Sequence, residues 1–382
     1  MLPEKGVEFS ARVKSDPVVR PDGQIYFSGE MLPPYSGSFR LYARSGDVAY
    51  GDLLKIKGQV EMPREERADP VVFAKNISVE GNSGSYLLKF IYGLKHSFSE
   101  KLGLTLGSAD AALVRGLVLG DSSGFTQEFR SEMIRSGTTH LVALSGYNVG
   151  VVIMATFGIL LGRTSRRSAV WLTLLAIIFF VLMVGAEASV LRAAVMASAG
   201  LLAREAGRFY SFGRAVVFSA FLMCLWNPFI LFTAGFLLSF SSLLGLAYLS
   251  PYLDDALRFM KPGLRNGLVP TLAAQVAALP VALSLFGSFS ATSFFANVLI
   301  LPLVPYTMLA GSLFAVLNFI MPALSFPLAW LLKLLLGTER LLISVGAKLS
   351  FSPWSGTPSW LWLSVYCFVL GLLIFKFHGK ES

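Results

Sequence analysis

Residues His140 to Gly150 read HLVALSGYNVG and set a histidine, a serine–glycine pair and an asparagine inside an otherwise apolar run. Two chemistries could use these groups. A serine becomes a nucleophile when a histidine reaches it as a base. Here His140 lies on the same segment as Ser145, and the other histidines, His96 and His378, fall in no predicted span. That leaves a polar wall or, for Ser145-Gly146, a small-residue packing contact between helices. Side chains of this kind are retained at membrane depth where they face protein or a water-filled path. Ser145, Gly146 and Asn148 form the centre of that wall, with His140 near its outer boundary. Ser145 and Asn148 are three residues apart and share a helix face. Asn148 can both donate and accept, across helices or toward a wet path.

Further groups belong with this set. Arg192 sits in the apolar stretch 188–203, where a charge at bilayer centre costs about 2.5–3.5 kcal/mol on insertion scales. Glu187 is a candidate partner for it; the alternative is a cation facing a phosphate path. Gln275 and Asn297 are isolated polar residues in late apolar runs. Pro280, Pro302 and Pro305 free backbone carbonyls there that need protein or water partners. There is no G-x-x-x-x-G-K-[ST] phosphate loop, no C-x-x-C and no H-x-H, so neither a nucleotide site nor a resident metal or other cofactor is expected.

Composition says what must position these residues. Of 382 residues, 54% are hydrophobic and 14% charged, with a mean hydropathy of +0.63. Soluble domains carry about 25% charged residues. The two cysteines, Cys224 and Cys367, lie in apolar runs and make no disulfide framework. The net charge of +9 is unevenly placed. Residues 1–84 hold 11 Lys/Arg against 12 Asp/Glu, so the basic excess belongs to the apolar part.

Residues 1–84 alternate as strands do. The segments are Val7–Val13, Gln24–Met31, Ser38–Arg44, Leu53–Glu61 and Val71–Glu80, separated by turn signals at Asp22-Gly23, Pro33-Pro34 and Gly51-Asp52. Short strands at this spacing predict a soluble OB-like barrel. Arg40, Tyr42, Arg44, Lys55 and Lys57 mix cations and an aromatic on adjacent strands. OB folds use such mixtures for single-strand binding, although an ordinary solvated face reads the same way. Residues 82–85 form a linker. Residues 85–136 then predict amphipathic or interfacial helices at 86–106, 108–119 and 123–136.

Residues 137–382 predict a polytopic transmembrane region of about eight to nine spans of roughly 20 residues each. They fall near 139–162, 169–186, 188–205, 212–232, 234–250, 268–287, 293–319, 326–346 and 359–376, the seventh broken by Pro302 and Pro305. The fold class is thus mainly α: a polytopic helical membrane protein with a small N-terminal β-barrel. Basic loops follow every second span, as the positive-inside rule requires. If those loops are cytoplasmic, the β domain is external and the C-terminus cytoplasmic. No export signal precedes the β domain in this sequence. Either the first span carries it across, or further spans lie upstream.

The polar segments also occur in an order that resembles a known family. LVLGD (Leu117–Asp121), SGTTHLVALSGYNVG (Ser136–Gly150), ASVLRAAVMA (Ala188–Ala197), NPFILFTAGFLLSFSSLLGL (Asn227–Leu246) and the proline-rich block Ala273–Pro305 are similar to the signature of the ComEC family of competence proteins. The resemblance implies passage of single-stranded DNA across the cytoplasmic membrane in natural transformation, with the lipid bilayer, other competence proteins and a separate ATPase or helicase as partners. Many members add a metallo-β-lactamase-like domain proposed to be a nuclease. Its histidine motif is absent from this sequence, so any nuclease activity is expected from another protein, or is absent. Asn148 stands where the family usually has histidine. A channel is not an enzyme, and none is expected. A transporter or flippase of another anionic substrate and a non-catalytic scaffold are the alternatives.

Overall fold

The computed structural model describes residues 8–349 except 20–22, 45, 47, 62–69, 143, 287 and 290–291, and beyond these 354–355, 359, 361–362, 364–366 and 368. It divides into two compact units: residues 1–113 with 121–126, and residues 114–120 with 127–382.

In the first unit, strands β1 (Glu8–Val13), β2 (Val18–Val19), β3 (Ile25–Met31), β4 (Ser38–Ala43), β5 (Asp52–Glu61) and β6 (Val71–Asn82) precede helix α1 (Tyr86–Leu106). β1 pairs antiparallel with both β3 and β5. β5 pairs antiparallel with β6, β6 runs parallel to β4, and β4 returns antiparallel to β3. The ring β1–β3–β4–β6–β5 therefore closes, and β2 adds only to β3. This is the OB-like barrel that the alternation predicts. Inward positions carry Phe27, Phe39, Leu41, Leu54, Ile56 and Val72, all fully buried. Register shifts at Leu53/Leu54 and Lys57/Gly58 bend the long β5–β6 pair, which is how a short sheet curls enough to close.

The predicted linker is fixed in place. Asn82 Nδ2 donates to Asp52 Oδ1 (2.6 Å) and to the Tyr50 carbonyl (3.0 Å), while its Oδ1 accepts from Gly84 N (2.9 Å). Ser83 N donates to the Gly51 carbonyl at 2.8 Å. Gly51 has φ +81°, and a Cβ there would stand 2.2 Å from Gly84 Cα; no side chain fits between these backbones.

α1 occupies the predicted span and is held to the barrel unit. Asp16 accepts from Lys95 Nζ at 3.0 Å and lies 2.9 Å from His96 Nε2. Tyr92 meets Tyr50 edge-on, centroids 5.2 Å apart. Burial alone would raise the Asp16 carboxyl; the bond from His96 and the charge of Lys95 outweigh it and hold the group below its ordinary value. The bond to Asp16 in turn raises His96 against its partial burial.

The second unit is helical. α2 (Ser108–Leu119), in which the division falls, and α3 (Gln127–Ser136) lead to a 3-10 turn at Thr139–Leu141. Then come α4 (Gly146–Leu160), α5 (Arg166–Val184), α6 (Ala188–Glu205), α7 (Phe212–Trp226), α8 (Ala234–Tyr248), α9 (Ser250–Ala256) and α10 (Pro262–Phe286). After the two-residue strand β7 (Ser288–Phe289) follow α11 (Thr292–Ile300), α12 (Val304–Ile320), α13 (Pro322–Leu349) and β8 (Trp354–Ser355), which pairs with β7.

Leu144, Val149, Val170, Leu174, Ile177, Phe180, Val190 and Ala194 join α4, α5 and α6 in one core. α8 and α10 cross where Gly245 admits the other backbone: a Cβ there would meet the Ala273 carbonyl at 2.4 Å. Small residues let helices approach this closely when lipid supplies no hydrophobic drive. Within α10, Pro280 has no N–H for the Val276 carbonyl, and Tyr366 Oη donates to that carbonyl instead, at 2.9 Å.

Among the described residues, three helical stretches are long and apolar enough to cross a membrane: Thr139–Leu160, Arg166–Val184 and Arg265–Leu285. α8 with α9, bent by 49°, makes a fourth if the pair is one span. Phe212–Trp226 and Val304–Asn318 are apolar but shorter. This is fewer than the eight to nine expected, for two physical reasons. Breaks at Asn227–Pro228 and Leu301–Leu303 shorten two of the runs, and α6 and α13 carry Arg192, Arg204, Glu205, Lys333, Glu339, Arg340 and Lys348. The expected span 359–376 lies largely outside the described residues.

The Asp16 clamp has a defined pH window. A depressed carboxyl stabilises above its ordinary range and is lost as pH falls through its folded value; a raised imidazole stabilises below its ordinary value and is lost as pH climbs through the folded one. Limited proteolysis within α1 of the full chain should therefore accelerate as pH rises from the ordinary imidazole value, about 6.5, through the raised value of His96. His96→Gln should remove that pH dependence, and Asp16→Asn should raise cleavage throughout.

Candidate functional site

The run His140–Gly150 does not form one continuous helix. Backbone at Ser145 is extended (φ −124°, ψ 173°), and α4 starts at Gly146. Ser145 is the helix N-cap. Its Oγ accepts from Tyr147 N and donates to Asn148 Oδ1, and its own N–H donates to the same Oδ1, each at 3.3 Å. Serine at the cap with asparagine three residues on is a variant of the capping box. Both polar residues thus serve the break.

The break frees backbone groups, and other elements meet them. Asn148, 4% exposed, donates Nδ2 to the Leu117 carbonyl at 2.8 Å. Ser189 Oγ, at the start of α6, donates to the Leu144 carbonyl. Leu117 opens the LVLGD segment and Ser189 lies in ASVLRAAVMA, so three of the noted segments meet at this point. Gly146 lets α4 approach α6: a Cβ there would stand 3.2 Å from Ala193 Cβ and 3.7 Å from Arg192 Nη2.

Arg192 is 9% exposed. Its Nε donates to Ser239 Oγ of α8 at 2.8 Å, and its guanidinium carbon lies 5.7 Å from the Phe240 ring centroid. No carboxylate among the described residues pairs with it. Glu187, the candidate partner, caps α6 without a side-chain bond to it. The guanidinium therefore faces the N-terminus of α4, and no described residue claims its Nη groups. Helix N-termini carry partial positive charge. A cation beside one is unfavourable by itself and favourable around an anion. Ser239, in the segment NPFILFTAGFLLSFSSLLGL, escaped the sequence reading because only the fold brings it to Arg192.

The remaining candidates are dispersed. His140 is exposed in the 3-10 turn, and Gln275 is half-buried in α10. Asn297 of α11 is 1% exposed, and its Oδ1 has no hydrogen-bond partner among the described residues. α11 and α12 are separate helices on either side of Pro302, as expected. Among the described residues no cluster of His, Cys, Asp and Glu could hold a metal.

The barrel candidates fall into two sets. Arg40 and Tyr42 point outward from β4, with Arg44 exposed just past its end; Lys55 and Lys57 point outward from β5, beyond β6. Lys55 pairs with Glu8 at 3.1 Å. Around Tyr42 the register builds an aromatic row that the sequence reading missed. Tyr26 and Phe73 stand opposite it on β3 and β6. Tyr26 and Tyr42 have centroids 5.0 Å apart, and Tyr42 and Phe73 stack at 5.8 Å. Phe73 is 45% exposed. The signal was an aromatic at an outward position on three strands; their adjacency depends on the parallel β4–β6 pairing.

A model of the competence protein family matches residues 117–380. ComE operon protein 3 of Bacillus subtilis (strain 168) is 32% identical over 207 residues, 54% of this chain and 26% of that protein. The match thus covers about a quarter of that relative's length. No solved structure matches.

The bond from Asn148 to the Leu117 carbonyl is predicted to hold the break closed. Asn148→Ala leaves a buried acceptor empty, which costs about 1–3 kcal/mol. The variant should unfold at lower temperature in detergent, with the loss shared by Ser189→Ala and absent from His140→Ala.

Proposed function

The chain belongs to the competence protein family, and from that premise we propose that it passes single-stranded DNA across the cytoplasmic membrane during natural transformation. One observation carries the reading: Arg192, buried and with no carboxylate partner among the described residues, faces the capped start of α4. A polyanion path needs such a place, where a phosphate meets a desolvated guanidinium and a helix N-terminus. It needs no nucleophile, and the protein acts here as a conduit rather than an enzyme. Ser239 and Phe240 orient the guanidinium, and Gly146 keeps space open before it.

The barrel supplies a receiving surface. The row Tyr26–Tyr42–Phe73 offers π faces for bases, and Arg40 and Arg44 flank it for the backbone. OB folds bind single strands on the face made by their second and third strands, which correspond to β3 and β4. In this reading the barrel lies outside the membrane and the C-terminus in the cytoplasm, as the basic loops favour. A separate ATPase or helicase drives directed movement, and other competence proteins deliver the strand. The near neutrality of residues 1–84 favours stacking over charge as the main source of barrel affinity.

The test is uptake of labelled DNA by a strain lacking this protein and complemented with wild type or variants. Arg192→Ala should lower entry about 10- to 100-fold, the equivalent of one charge-assisted contact, with normal abundance in the membrane. Unchanged uptake would remove the path from this site. If uptake of another anion falls instead, the chain is a transporter of that anion.

For the barrel, binding of a fluorescent oligonucleotide to the full chain in lipid nanodiscs should weaken with Tyr42→Ala by about 1–3 kcal/mol, the worth of one stacked base. The slope of log affinity against log salt should stay unchanged. Arg40→Ala should flatten that slope by about 0.7, as loss of one single-strand phosphate contact does.

A further inference from the structure

Helix α13 turns one carboxyl into its packed face. Ala329, Leu332, Leu336, Ile343 and Ala347 form its buried stripe, and Glu339 lies on the same stripe, 1% exposed. The helix packs against α3, α11 and α12. At Gly346 the fit is close, for a Cβ there would meet Ser136 Cβ at 3.2 Å and Ala296 Cβ at 3.3 Å. Glu339 thus lies within tight packing rather than in a groove at the surface.

Its partner is Thr307 of α12, with Thr307 Oγ1 and Glu339 Oε1 2.6 Å apart. Thr307 Oγ1 also lies 3.3 Å from the Leu303 carbonyl, one turn back. A threonine hydroxyl has one hydrogen and cannot give it to both acceptors. The count closes if Glu339 holds a proton. The carboxyl then donates to Thr307 Oγ1, and Thr307 donates to the Leu303 carbonyl. A carboxylate in its place would keep one donor and no counter-charge, and a buried charge so placed is strongly disfavoured.

The surrounding charges do not supply a counter-ion. α11 and α12 bring no charged residue, and Tyr306 of α12 is exposed. On α13 itself Lys333, Arg340 and Lys348 point outward. On α3, Glu128 and Arg135 are exposed, and Arg130 and Glu132 are half-buried. Glu132 Oε1 accepts from Ser344 at 3.4 Å. Among the described residues, Thr307 is the polar neighbour that acts on Glu339, and none of these charges pairs with it.

We propose that Glu339 and Thr307 form a proton-binding site inside the helical unit, occupied at neutral pH, whose emptying loosens α13 from α12. On release the O–H bond breaks, the proton passes to water and the electron pair stays on the carboxylate. Thr307 must then abandon the Leu303 carbonyl to face the charge, or water must enter between the helices. Proton occupancy and helix packing are therefore linked, whatever solute the protein moves.

The experiment uses the full chain in lipid nanodiscs. Infrared spectra at neutral pH should show the carbonyl stretch of a buried protonated carboxylic acid, shifted in deuterated water and absent from Glu339→Gln. Thr307→Val should move that band without removing it. A spectrum lacking the band, or a band that survives Glu339→Gln, overturns the site; a band unmoved by Thr307→Val removes Thr307 from it. Thermal unfolding tests the linkage. Glu339→Gln has no proton to lose, so its melting temperature relative to wild type should climb as pH is raised from the ordinary carboxyl value, about 4.3, to the pH at which Glu339 empties, and level off beyond it. A difference that stays flat across that interval, or falls, overturns the coupling to packing. Neither readout involves DNA, so a failure here is distinct from failure of the transport reading.

Discussion

A helix broken inside an apolar region leaves carbonyl and N–H groups that lipid cannot satisfy. Much of the helical unit is arranged around that constraint. At the start of α4 the freed groups are met by Ser145, Asn148 and Ser189. In α10 the carbonyl released by Pro280 is met by Tyr366. Between α7 and α8 the backbone turns at Asn227 and Thr233, whose side chains accept from Phe229 N and Phe236 N. Each solution ties a local break to a partner, often on another helix. The breaks are thus fastening points as well as interruptions.

This divides the polar residues of the apolar region into two kinds. Ser145, Asn148 and Ser189 have their bonding taken up by backbone. Mutating them tests the frame. Arg192, Asn297 and Glu339 are buried with bonding capacity left over or balanced by a single neighbour. Leftover capacity at depth is costly; in the readings proposed above it serves an anion at Arg192 and a proton at Glu339.

Much of this was legible in the sequence. Strict alternation located five barrel strands, because one face of each had to be buried. The amphipathic spacing of Leu87, Ile91, Leu94, Phe98 and Leu102 located α1, and long apolar runs located α5, α6, α8 and α10. The break before α4 was hidden because hydropathy runs unbroken through Val142 to Gly146, and only its polar residues hinted at it. Glu339 was not singled out within the predicted span 326–346; its spacing from Leu332, Leu336 and Ile343 was the available sign. The Tyr26–Tyr42–Phe73 row and the Arg192–Ser239 bond are products of strand register and helix crossing. A single sequence does not display such relations.

The junction between β6 and α1 has one more consequence. Asn82 is bonded at both ends of its amide, and the backbones of Gly51 and Gly84 touch. The segment between barrel and helix therefore has no slack. A force applied to the barrel would reach α1 through bonded backbone, as through a welded joint rather than a tether.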